Sequence, residues 1–174
     1  MANRKILTAC GVAVVLFIIL AALGNSTPKT VDAFITNYNK AIKDTVEARM
    51  EGPGKGVAIG ICSINNVETA VNGSKIAVLC NELGGFGSFD NPKSFSVGFA
   101  LSKDISSNNI FLILEAAIKA AGDDYNSVMK SLGVANGNRY SIPGEYNKEI
   151  TFNKKKYFLT SADDMILINI SIPK

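Results

Sequence analysis

The spacing of apolar residues changes several times along the chain, and each change marks an element. Val31, Phe34, Ile35, Tyr38, Ala41, Ile42, Thr45 and Val46 recur at the three-four interval of one helical face. Lys40, Lys43, Asp44 and Glu47 fall on or near the opposite side. Thr30 is a suitable N-cap, Asp32 places negative charge in the first turn, and Gly52-Pro53-Gly54 marks the stop. The period then shortens. GVAIGICSI, VETAV and SKIAVLC are β-rich runs separated by Asn65-Asn66 and Asn72-Gly73, which predicts a three-strand meander. SFSVGFALS alternates, with Phe95, Val97, Phe99 and Leu101 on one face and Ser94, Ser96, Gly98, Ala100 and Ser102 on the other. That pattern predicts a half-buried strand.

A second helix is expected over Ile110 to Ala121, capped by Asn108 or a nearby serine and apolar almost all round, hence well buried. Gly122 stops it. Asp123-Asp124 then cap a short third helix, Tyr125 to Leu132, closed by Gly133. The tail returns to strands: EITF and KYFLT flank an Asn153-Lys154 turn, and in MILINISI the residues Ile166, Ile168, Ile170 and Ile172 share a face. A closing strand this apolar belongs inside a sheet. The fold class expected is α+β: an antiparallel sheet of about seven or eight strands in two meanders, with three helices packed on one face. Two successive helix-then-meander halves suggest a duplicated architecture, yet KAIKD against AAIKA is the only residue similarity between them.

Ahead of this domain, Ile6 to Leu23 form an uncharged apolar run preceded by Arg4 and Lys5. Such a run spans roughly 27 Å as a helix, slightly less than a hydrocarbon core of about 30 Å. It is an N-terminal hydrophobic signal or anchor helix. Ala22-Leu23-Gly24 offers a small-x-small cleavage pattern before Asn25. The expected organisation is a signal peptide or membrane anchor over 1–24, a short tether over 25–29 and one exported domain over 30–174. Cleaved, the chain is secreted or periplasmic; uncleaved, it stays in the bilayer through residues 6–23. Leu7-Thr8-Ala9-Cys10 is similar to a lipobox, but the apolar core follows Cys10 instead of preceding it, which argues against acylation.

Composition narrows the chemistry. The net charge is +3, and leaving out Arg4 and Lys5 brings the remainder to +1, with Lys154-Lys155-Lys156 as its one basic run. That run is expected to solvate a turn, and no nucleic-acid partner is expected. The chain has no histidine, so Ser-His and Cys-His nucleophiles and histidine metal sites are excluded. No cofactor and no metal site is expected. Cys62 and Cys80 are expected to remain separate, apolar and inert: if both asparagine turns are two-residue hairpins, Cys62 aligns through Thr69 with Ile76, and Cys80 lies four residues further along that third strand, too far for a disulfide.

Motifs add little. Ser127-Val128-Met129-Lys130 fits S-x-x-K, but no K-T-G follows, and the apolar face of the helix leaves Ser127 and Lys130 towards water. Gly52-Pro53-Gly54-Lys55-Gly56 follows a helix and precedes a strand, the reverse of a phosphate loop. Asp123-Asp124 and Asp163-Asp164 are paired in sequence only, because adjacent side chains diverge; a cap and a turn are expected. The triplets at Asn25, Asn72 and Asn169 that fit a glycosylation pattern are treated as coincidental.

The best binding candidate is the glycine-rich connection from Asn81 to Pro92. It carries Gly84, Gly85, Phe86, Phe89 and Asp90, and long loops with aromatic anchors are common recognition elements. The function expected is a non-catalytic exported or membrane-anchored binding module whose partner is another envelope protein or a small ligand. The alternatives are an accessory subunit that docks on a membrane partner through its anchor, and a histidine-free hydrolase.

Overall fold

The computed structural model describes residues 26–42, 49–52, 59–64, 76–81, 93–136 and 139–174. Three helices and an antiparallel sheet make an α+β domain. Helix α1, Val31–Ile42, begins as the sequence predicts: Thr30 Oγ1 accepts the Ala33 N–H at 3.1 Å, and Val31, Phe34, Ile35, Tyr38 and Ile42 are buried. Strands β1 (Met50–Glu51), β2 (Ile59–Ile64), β3 (Ile76–Asn81) and β4 (Ser94–Ser102) follow. Helices α2 (Ser107–Ala120) and α3 (Tyr125–Leu132) separate β4 from the small β5–β6 hairpin (Ala135–Asn136 and Arg139–Tyr140). Strands β7 (Tyr146–Phe152), β8 (Lys155–Ala162) and β9 (Met165–Pro173) complete the chain.

The sheet order is β1-β2-β3-β4-β9-β8-β7, every pair antiparallel. The apolar last strand therefore lies between β4 and β8, inside the sheet as its sequence predicts. Its partners align the two best alternating runs: Phe95, Val97, Phe99 and Leu101 face Ile172, Ile170, Ile168 and Ile166. All eight are buried. At about 1.5–3 kcal/mol for each such side chain removed from water, this double row is a main source of stability. Lys155, Tyr157, Leu159 and Ser161 of β8 extend the same face.

Each helical segment reaches that face. From α1, the Tyr38 ring packs on Phe99, with centroids 6.0 Å apart. Asp123, between α2 and α3, meets Tyr157, and the Leu132 carbonyl ending α3 accepts the Tyr146 hydroxyl. The opposite face is more open at β9, where Met165 and Leu167 are exposed.

Two sequence expectations need correction. β4 is not half-buried: Ser94 and Ser96 on its second face are buried as well. Serine alternation marks the polarity of a face, and burial depends on what covers it. The register of the expected three-strand meander is not kept either, because β2 pairs directly with β3; the VETAV run falls in residues 65–75, outside the described residues.

The α1–β1 junction is held locally. Asn39 Oδ1 accepts the Met50 N–H at 2.7 Å, and its Nδ2 donates to the Met50 carbonyl at 2.9 Å, so the amide stands in for a strand partner. A Cβ on Gly52 would come within 2.8 Å of Ile35 Cδ1. Close approach to the helix, beyond any need for a turn, thus favours glycine there.

Candidate functional site

The candidate binding residues Gly84, Gly85, Phe86, Phe89 and Asp90 lie outside the described residues, as do the membrane segment Ile6 to Leu23 and the Pro53 to Gly56 turn. Among the described residues, no helix is long and apolar enough to cross a membrane. Ser127 and Lys130 lie on the exposed side of α3, where the sequence places them. Among the described residues there is no group of three or more His, Cys, Asp or Glu able to hold a metal ion. Asp163-Asp164 form the β8–β9 turn, with Asp163 at φ 46°, and engage Lys103 through their backbone carbonyls.

The expectation of two separate thiols is corrected: Cys80 is disulfide-bonded. The register also differs from the one that two asparagine hairpins imply. With β2 paired directly to β3, Cys80 is opposite Gly60 and Cys62 is opposite Val78. The two positions share a face and are offset by two residues, not four.

The most specific side-chain constellation is one the sequence reading missed. Asp123 is buried, and its carboxylate accepts three hydrogen bonds. Lys155 Nζ donates to Oδ1 at 3.0 Å, Asn153 Nδ2 donates to Oδ1 at 2.9 Å, and the Tyr157 hydroxyl donates to Oδ2. Side-chain exposure is 2% for Lys155 and 0% for Asp123. A charged pair this deeply enclosed is kept only when its donors and acceptors are satisfied. Burial, then the hydrogen bond to Asp123 and its charge, push the Tyr157 phenol well above the ordinary tyrosine range, so it remains a donor.

Local structure delivers these groups. Gly122, at φ 85°, closes α2: its N–H reaches the Lys119 carbonyl, and the Asp123 N–H reaches the Ile118 carbonyl. This reversal sends Asp123 inward. Asp124, extended at φ −75° and ψ 121°, stays outside and caps α3 by accepting the Ser127 N–H at 2.8 Å. That hydrogen bond lowers the Asp124 carboxyl pKa below its usual value. Of the two aspartates expected to cap, only the second does.

On the sheet side, Asn153 and Lys154 both adopt positive φ, at 46° and 67°, making the two-residue β7–β8 turn. The turn starts β8 with Lys155 on the core face. The lysine run expected to solvate this turn therefore does so only in part: Lys154 and Lys156 are exposed, whereas Lys155 is buried. A signal was available in KKKYFLTSA, since Lys155, Tyr157 and Leu159 share the period-two face. Its polar partner lies 32 residues earlier, and no local pattern points there.

An aromatic group braces the same helices. Tyr140 of β6 lies 4.9 Å from Tyr125 and 5.8 Å from Phe111 between ring centroids. The buried carboxylate ties the α2–α3 junction to β8, and these rings tie both helices to β6. Chemically, the arrangement positions an amine, a carboxylate and a phenol in a dry interior.

In comparisons with known proteins, the chain matches no family model, no curated protein and no solved structure.

Proposed function

We propose that the chain is an exported or membrane-anchored protein of the cell envelope, and that its single domain over 30–174 acts by binding another envelope protein or a small ligand. The observation that carries this reading is the run Ile6 to Leu23, eighteen uncharged residues behind Arg4 and Lys5. The disulfide at Cys80 supports it, because such bonds persist mainly in oxidising compartments. The absence of histidine from the sequence argues against the commonest hydrolytic machinery. Helices held on one face of a two-meander sheet form the scaffold in this reading, and the Gly84–Asp90 connection, with Phe86 and Phe89, forms the recognition element. The length of the apolar run, close to a full span, favours as a second reading an accessory subunit retained through its anchor.

Crosslinking in intact cells tests the binding role. The full chain and a Phe86→Ala/Phe89→Ala variant are expressed to equal levels, and their crosslinked products are compared. A discrete product that the variant loses supports the proposal. Identical products from both chains, or no product from either, contradict recognition through this connection.

A further inference from the structure

The Asp123 cluster has the features of a site for forming a bond, in addition to those of an ion pair. The amine of Lys155 and the carboxyl of Asp123 are in hydrogen-bond contact at 3.0 Å, 2% and 0% exposed. The two carboxylate oxygens are differentiated. Oδ1 receives Lys155 and the Asn153 amide, whereas Oδ2 receives the Tyr157 hydroxyl. We propose that Lys155 and Asp123 condense to an intramolecular isopeptide bond that crosslinks the last hairpin to the α2–α3 junction.

The step balances without any co-reactant. The Lys155 ammonium gives one proton to the carboxylate at Oδ1, the oxygen it contacts at 3.0 Å, leaving a neutral amine and a carboxylic acid. The nitrogen lone pair attacks Cγ and forms the C–N bond. Charge gathers on Oδ2, where the Tyr157 hydroxyl already donates. The nitrogen loses a second proton to the Oδ1 hydroxyl, the Cγ–Oδ1 bond breaks, and one water departs. An ammonium and a carboxylate have become an amide and a water, with no oxidant or reductant consumed.

Two physical terms favour reaction here over the same pair in solution. Fixed proximity replaces a bimolecular encounter, an advantage that reaches effective molarities of about 10⁵ M or more in well-oriented systems. Condensation also removes two buried charges whose desolvation is costly, and the released water reaches bulk solvent. Tyr157 is suited to hold the charge that gathers on Oδ2, because burial keeps its phenol protonated and so a donor.

Peptide mapping of the full chain, purified, reduced and denatured, tests it. The expected result is a branched peptide joining the Asp123 and Lys155 segments, one water lighter than the two segments together. Tyr157→Phe should fold with unchanged circular dichroism and carry a smaller crosslinked fraction, and Lys155→Arg should carry none. Recovery of both segments only as linear peptides, with Lys155 open to amine acylation after denaturation, would overturn the proposal. A branched fraction unchanged in Tyr157→Phe would overturn the role given to the phenol.

Discussion

The β7–β8 hairpin is tied to the rest of the domain at both ends, and the two ends use lysine in opposite ways. At the closed end, beside the Asn153–Lys154 turn, Lys155 is buried against the Asp123 carboxylate. Near the open end, Lys103, just beyond β4, is partly exposed. It donates to the backbone carbonyls of Gly144, at 3.0 Å, and of Asp163. Ser161 Oγ donates to the same Gly144 carbonyl at 3.1 Å. The closed end is dry and charged; the open end is wetter and joins one cation to neutral carbonyls. The contrast teaches where a charge matters for stability. A dry, charged contact is costly to break from one side only, whereas water can replace much of an exposed one.

The largest effect should follow removal of the buried amine. Lys155→Met leaves the Asp123 carboxylate enclosed without its cation and should cost about 3–5 kcal/mol, read as a lower urea midpoint. A loss below about 1 kcal/mol would mean that the closed end is no tighter than an exposed ion pair.

Alkaline titration probes the same interior. Burial raises the phenols of Tyr38, Tyr125 and Tyr157 above the ordinary range. Their folded values exceed the unfolded one, so the stability they contribute is complete below about pH 10 and is lost as pH climbs towards the folded values. These phenols should ionise only with unfolding, as a steep step in phenolate absorbance. Gradual ionisation of every tyrosine in a chain that stays folded would contradict the packing described.

Asp124 gives a smaller, outward-facing counterpart to Asp123. Asp124→Ala removes the α3 cap and should cost about 1 kcal/mol at neutral pH. Its carboxyl pKa is lowered in the fold by the Ser127 backbone hydrogen bond. The contribution is therefore present above the unfolded carboxylate value of about 4 and lost as pH falls through the folded value. The gap between wild type and variant in thermal unfolding should close on acidification.

The smallest effect is expected at the open end. Lys103→Ala should cost less than about 1 kcal/mol, because water can solvate the released carbonyls. If it destabilises as much as Lys155→Met, the contrast between the two ends disappears.

Much of the fold is legible where one element alone decides the pattern. The alternation in β4 and β9, the Thr30 cap, the Gly122 and Gly133 stops and the Asn153–Lys154 turn are local features, and the structure places them as the sequence predicts. What escaped needed a partner distant in sequence. The register around Cys80 escapes because hairpin turns at both asparagine pairs imply an intervening strand, whereas β3 pairs directly with β2. Lys155 reads as solvated among its lysine neighbours, although its period places it beside Tyr157 in the core. Asp123 and Asp124 both read as caps of α3, and the left-handed Gly122 turns the first of them inward. The candidate recognition residues Phe86 and Phe89 rest on composition and loop length alone.

The functional account depends most on where the domain stands relative to the membrane. Protease added to intact cells producing the full chain with a C-terminal tag tests this directly, with a cytoplasmic protein as the internal control. The account predicts that the tagged domain is digested, or recovered outside with Asn25 as its first residue, while the control stays whole. A tagged chain that remains full length and protected until the cells are lysed would contradict it.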